Sequence, residues 1–252
     1  MTSASSSKAL AWSAYIERLP WQARDVLYFG LVWLSAQYIV MKVLVWSGSV
    51  WLAPGRLIQS AYNGEVASLF VLAVVQAAIS GVLLWWWLRR YRVSIQALGW
   101  RPVPVWRTIK FVLVVLGGFI VLASTAIWLV SQLVPAFDAN QAQMNQFSAV
   151  QTSSDWILAI LAMVVLPPIM EESIFRGLAF TALAKRWGSV MGAVGSSALF
   201  ALAHGQANVG VYTFVLGLLL CWLYRRFDSI VPGVMVHMVN NALAYWALMS
   251  TG

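Results

Sequence analysis

Seven stretches of the chain are apolar over helical lengths, and polar or basic residues separate them. The first runs Val26–Trp46, with Lys42 near its end, where a long side chain can snorkel to an interface. The second, Val66–Leu88, closes on Trp85-Trp86-Trp87 and then meets Arg89-Arg90-Tyr91-Arg92. A tryptophan triplet beside a basic stop reads as an aromatic belt rather than a cofactor platform. The third runs from about Ile109 to Val134, and Gly117-Gly118 inside it predicts a close helix approach. The fourth starts at Trp156 and ends at Lys185-Arg186. The fifth, Val190–His204, is short and rich in Gly, Ala and Ser, which suits tight packing. The sixth is Val211–Tyr224, closed by Arg225-Arg226, and the seventh is Ile230–Met249.

The segments between these stretches are turn-like. Ser47–Glu65 holds Gly48, Pro54, Gly55, Asn63 and Gly64, and Pro135–Asp155 is polar and carries no Lys or Arg. Met1–Ser7 is small and polar and is expected to fray. Lys8–Arg24 mixes Leu10, Trp12, Tyr15, Ile16 and Leu19 with charges, which predicts an amphipathic interfacial helix ending near Pro20. The expected fold is therefore all-α: a polytopic transmembrane helix bundle of about seven spans with an N-terminal interfacial helix. The expected organisation is an interfacial segment over 1–25, membrane spans and loops over 26–155, and a catalytic core over 156–252.

Composition narrows the class. Of 252 residues, 61% are hydrophobic and 10% charged, where soluble domains carry about 25% charged; the mean hydropathy is +0.78. The net charge of +8 does not point to nucleic acid, because the Lys and Arg residues sit in short clusters between apolar runs. With alternating spans, the clusters at 89–92, 101–110, 185–186 and 225–226 share one side, which the positive-inside rule makes cytoplasmic. The expectation is a multi-pass protein of a bacterial-type inner or plasma membrane with a cytoplasmic N-terminus. Its partners would be the lipid bilayer and a membrane-associated substrate. Cys221 is the single cysteine, so no intrachain disulfide forms.

One stretch breaks the apolar pattern: Pro167-Pro168-Ile169-Met170-Glu171-Glu172-Ser173-Ile174-Phe175-Arg176-Gly177. The chain has eight acidic residues in all, and two stand side by side here. A charge at the bilayer centre costs at least ~2.5–3.5 kcal/mol, so the default reading is a functional site. Pro167-Pro168 predicts a broken or kinked helix, with the carboxylates near a restarted N-terminus. Glu172 and Arg176 are four apart and can pair across one helix face, leaving Glu171 about 100° around the axis. Both histidines of the chain lie in apolar helices: His204 closes Phe200-x-x-x-His204, and His237 opens His237-x-x-x-Asn241. A carboxylate with an imidazole can bind and deprotonate water, and a second imidazole with a carboxamide can stabilise an oxyanion. The same residues also suit a proton relay in a transporter, although no repeat links the two halves. A scaffold or immunity protein is a further open reading.

Glu171-Glu172-x-x-x-Arg176, Phe200-x-x-x-His204 and His237-x-x-x-Asn241 resemble, in order and helical context, the three motifs of the CAAX-protease and bacteriocin-processing family (CPBP, or Abi). The resemblance spans roughly Trp156–Met249 and implies an all-helical intramembrane glutamic endopeptidase. By that likeness Glu171 and His204 activate water, and His237 and Asn241 form the oxyanion hole. Glu172, Arg176 and Phe200 support them. The family has also been described as metal-dependent, and zinc would take Glu171, His204 and His237. With no His-Glu-x-x-His pair, and Asn a poor zinc ligand, a site without a metal cofactor is the expectation. A water-filled cavity is expected where the polar residues converge. A prenylated CAAX protein and a processed peptide or leader are equally open as substrates.

Overall fold

The computed structural model describes residues 2–50, 66–134, 136–137 and 152–250. Among them every long element is a helix: α1 (Thr2–Arg18), α2 (Ala23–Val50), α3 (Val66–Tyr91), α4 (Val105–Leu133), α5 (Ser153–Ala203), α6 (Ala207–Phe227) and α7 (Val231–Ser250). A 3₁₀ turn, Ile95–Leu98, precedes α4. Most of the predicted loops at 47–65 and 135–155 lie outside the described residues. Among the described residues five helical stretches are long and apolar enough to cross a membrane: Ala23–Val43, Val66–Tyr91, Thr108–Leu133, Ser153–Ala203 and Ala207–Phe227.

The 51-residue stretch α5 absorbs the fourth and fifth predicted spans. It is not one straight rod. Gly188 has φ 79° and ψ 162°, a left-handed-side conformation that glycine enters without penalty. Beyond it the second limb runs back along the first. Ser196 Oγ donates to the Phe175 carbonyl at 2.7 Å, and a β-carbon at Gly192 would sit 2.5 Å from the Ala184 nitrogen. The small residues of the fifth predicted span are thus what let the two limbs touch. Ser197 serves the same purpose toward α6, where a β-carbon at Gly217 would meet Ser197 Oγ at 2.7 Å.

The described chain divides into two compact units. One comprises Met1–Leu27, Leu88–Gln141 and Glu171–Val236; the other comprises Tyr28–Trp87, Ala142–Met170 and His237–Gly252. In the first unit α4 buries one stripe, Thr108, Val112, Leu116, Phe119 and Ala123, the three-to-four-residue spacing of a helix face. That stripe meets α6 through Phe119 against Tyr212, with Phe111 stacked on Trp222. Its other face exposes Leu113, Val114, Val121, Leu122 and Leu133, as a lipid-facing surface would. Gly117 and Gly118 lie on that exposed side, and a β-carbon on either would meet nothing within 4 Å. Among the described residues nothing approaches them closely, because the stripe that α4 turns to α6 is on its other side.

α1 departs from expectation in two ways. It is helical from Thr2, so the predicted fraying at 2–7 is not found. Its apolar face also lies on protein: Trp12 and Ile16 pack with Phe180, Ala184, Cys221, Tyr224 and Ile230. Lys185 Nζ then donates to the Glu17 and Leu19 carbonyls at 3.0 and 2.9 Å, capping the end of α1. Tyr15 donates to the Ala97 carbonyl at 2.9 Å, and burial raises its pKa, which keeps that proton in place. Arg101 lies 4.1 Å over the Tyr15 ring and donates to the Asp228 carbonyl. The basic ends of α5 and α6 and the loop before α4 therefore gather at one end of this unit, around α1.

In the second unit Trp33 Nε1 donates to Ser80 Oγ at 2.9 Å, joining α2 to α3. Trp87 is 1% exposed and meets Phe29 edge-on, whereas Trp85 is 57% exposed. One tryptophan of the triplet is a core anchor, and its neighbours form the belt. Val66, Ala159 and Tyr245 make this unit's small core, with Leu69, Leu158 and Met163 against it.

Gly192→Ala would force the two limbs of α5 apart. It should destabilise by about 1–3 kcal/mol, as overpacking does, and lower the midpoint of thermal unfolding in detergent. Gly117→Ala, at an open position inside a helix, should instead raise that midpoint slightly, by about 0.5–1 kcal/mol of stability. Equal midpoints for the two variants would show that the limb contact is not tight.

Candidate active site

The double proline does not break the helix. Helical geometry continues through Glu171, at φ −64° and ψ −44°. The lost hydrogen bonds are absorbed in two ways. First, Ile160–Val165 widens into a π-helix, and the Leu166 amide donates to the Leu161 carbonyl, five residues back. Second, Pro167 has no N–H, so the Met163 carbonyl lacks the donor an α-helix would supply. Asn241 Nδ2 donates to that carbonyl at 3.0 Å. Asn241 is thus held by the backbone vacancy that Pro167 creates. The expectation that the carboxylates open a new helix is corrected: they sit mid-helix, without an N-terminal dipole to favour them.

A second π-helix, Glu172–Phe180, starts directly after Glu171. Such wide turns recur at functional sites. Every residue of this segment is buried, and the surrounding chain fits it closely. A β-carbon at Gly177 would lie 2.7 Å from the Leu98 carbonyl, and Trp100 Nε1 donates to Ser173 Oγ at 2.9 Å. The loop before α4 is therefore wedged against the back of the motif.

Arg176 Nη1 donates to Glu172 Oε1 at 2.9 Å, with the side chains 1% and 0% exposed. The guanidinium lies 4.3 Å from the Phe200 ring centre. Phe200 is fully buried, and its ring meets the His204 imidazole edge-on at 4.8 Å. His204 Nδ1 lies 2.8 Å from the Phe200 carbonyl. A carbonyl only accepts, so Nδ1 carries a proton, and in the neutral ring the lone pair is then on Nε2. One connected column results: carboxylate, guanidinium, aromatic ring and an imidazole oriented by its Nδ1–H bond. The sequence spacing anticipated the ion pair. It did not reveal that Phe200 bridges the pair to His204.

The remaining motif residues are placed as follows. Glu171 is half-buried on the turn before the second π-helix. His237 is 2% exposed on α7, one turn beyond Gly233. A β-carbon at Gly233 would meet Glu172 Oε2 at 3.3 Å, so glycine lets α7 begin against the buried carboxylate. Asn241 lies on the same helix, half-buried, and Asn240 Nδ2 reaches its Oδ1 at 3.4 Å. Gly233 and Pro167 belong to this region although the motif spacing did not single out either role. Glycine following Pro232 inside an apolar run was the available signal for the first.

Among the described residues no group of three His, Cys, Asp or Glu side chains could hold a metal ion. No step below passes through a metal.

Residues 153–243 match the family model described as "Type II CAAX prenyl endopeptidase Rce1-like". The match carries all three motifs and stops two residues past Asn241. An Escherichia coli protein, "Uncharacterized 24.3 kDa protein", is 30% identical over 105 residues, which is 40% of this chain and 48% of that relative. The chain thus aligns with about half the length of that curated relative. No solved structure matches.

Arg176→Gln would leave Glu172 buried without its cation and should cost about 3–5 kcal/mol. Glu172→Leu combined with Arg176→Met should recover most of that loss, because two apolar groups replace two matched charges. Unfolding midpoints of the single and double variants check this; additive losses would show that the pair is not coupled.

Proposed function

We propose that this chain, whose residues 153–243 match the Rce1-like family model, is an intramembrane endopeptidase of the glutamic type. It hydrolyses a peptide bond in a membrane-associated peptide or protein. The observation that carries the reading is the hydrogen bond that orients His204: its Nδ1 donates to the Phe200 carbonyl, so that in the neutral ring Nε2 is the proton acceptor. In this mechanism Glu171 and His204 take a proton from water as its oxygen attacks the scissile carbonyl. His237 and the second amide hydrogen of Asn241 donate to the oxyanion. The intermediate then collapses, the C–N bond breaks, and the stored proton passes to the departing amine.

The reading includes seven crossings. Gly188 divides Ser153–Ala203 into two, and Val231–Ser250 adds the last. The N-terminus is on the cytoplasmic side of a bacterial-type inner membrane, because the basic ends in the first unit gather around α1. Substrates that arrive from that leaflet, prenylated or not, suit the arrangement.

Glu171→Gln and His204→Ala should abolish cleavage with the unfolding midpoint intact, and Asn241→Ala should lower kcat by about 10²–10³, as loss of an oxyanion donor does. The test compares membrane peptides from cells carrying wild-type protein with those from cells carrying Glu171→Gln. Undiminished processing by the purified Gln variant would sink the mechanism.

Pro167→Ala supplies the Met163 carbonyl with an amide donor and releases Asn241. It should raise stability, because proline inside a helix costs about 3 kcal/mol. It should also lower kcat with KM unchanged. An unchanged kcat would show that Asn241 needs no such positioning.

A further inference from the structure

A cleft of about 360 Å³ lies at the end of the first unit that gathers the basic residues, away from the motif residues. Glu17, Gln22, Ala23, Arg24, Ala182, Lys185 and Arg186 line it. Three cations against one carboxylate leave two positive charges facing a shared space. Lys185 is already engaged by the Glu17 and Leu19 carbonyls, which fixes its ammonium at the wall. Arg24 and Arg186 are exposed, and among the described residues neither has a hydrogen bond or ion pair. Two exposed arginines thus share one cleft with a fixed lysine, and Glu17 is the one carboxylate in its lining. α2 begins at Ala23 beside the cleft, and its start is already served by Asp25, which accepts from the Gln22 amide at 2.6 Å.

We propose that this cleft binds the phosphate of an anionic phospholipid headgroup. Phosphate is the chemistry that two arginine forks beside a lysine receive best. The surroundings favour a lipid as its source. The candidate span Ala23–Val43 begins at the cleft, so Arg24 stands where a membrane span meets water. Leu27, one turn further along α2, is 67% exposed, and Trp187, next to Arg186, is 56% exposed. A bound molecule would thus have apolar surface beside its phosphate. The occupied cleft would join the end of α1, the start of α2 and the basic end of the first limb of α5.

The test uses the full chain in detergent and in nanodiscs, with bound lipid counted by native mass spectrometry. Wild-type protein should retain phosphatidylglycerol over phosphatidylcholine. Arg24→Gln and Arg186→Gln should each weaken that retention about five-fold, the effect of one basic residue at an anionic surface. Arg225→Gln, at the end of α6 and outside the cleft lining, should not. Equal retention in the cleft variants, or an equal loss in Arg225→Gln, would overturn the site. Inorganic phosphate at matched concentration should fail to displace the lipid; full displacement would assign the cleft to free phosphate and overturn the lipid assignment.

Discussion

A carboxylate and a guanidinium, both shut away from water, set the terms for the first unit. Glu172 and Arg176 are paired at 2.9 Å, and neither can be tolerated there without the other. Matching them fixes the motif helix in rotation. That rotation sets Phe200 against the cation and His204 against Phe200. Ser196 and Gly192 on the returning limb, Trp100 and Leu98 from the loop before α4, and Gly233 at the start of α7 then close around the pair. Arg176 Nε and Nη2 are buried without hydrogen-bond partners in the structure. The aromatic face of Phe200 offsets part of that cost.

The second constraint is backbone, not side chain. The two proline rings remove donors from the helix that must carry the glutamates, and the helix survives by widening before and after them. π-helical turns place side chains out of the usual register. The approach to Glu171 and the turn that follows it are therefore both irregular. Asn241 connects to this irregularity through the Met163 carbonyl, and the geometry of the third motif is thereby tied to the sequence just upstream of the first.

Much of this was legible in the sequence, for specific reasons. The spacing of Glu172 and Arg176 dictated a pair on one helix face, and hydropathy delimited the helices. Two histidines in a highly apolar chain could hardly be incidental. What the sequence hid was three-dimensional choice. Gly117-Gly118 looks like a close-packing site, and only the direction of α4's buried stripe shows that it is not. Pro167-Pro168 looks like a break because local rules do not count a side-chain donor arriving from residue 241. Trp12, placed by the pattern in an interfacial helix, is buried against protein instead, and so is Trp21, with its indole N–H on Thr181.

The docking of α1 has a bearing on how the chain is made. The helix is synthesised first, but the surface that covers Trp12 and Ile16 comes from Phe180, Ala184, Cys221, Tyr224 and Ile230. At ribosomal rates of about 5–20 residues per second, that surface is complete only roughly 10–40 s after α1 leaves the tunnel. Through that interval an amphipathic segment has its apolar stripe uncovered, and the membrane surface is the shelter that suits it. The amphipathic pattern of α1 then describes a waiting position during biogenesis, and its burial under Lys185 describes where it finishes.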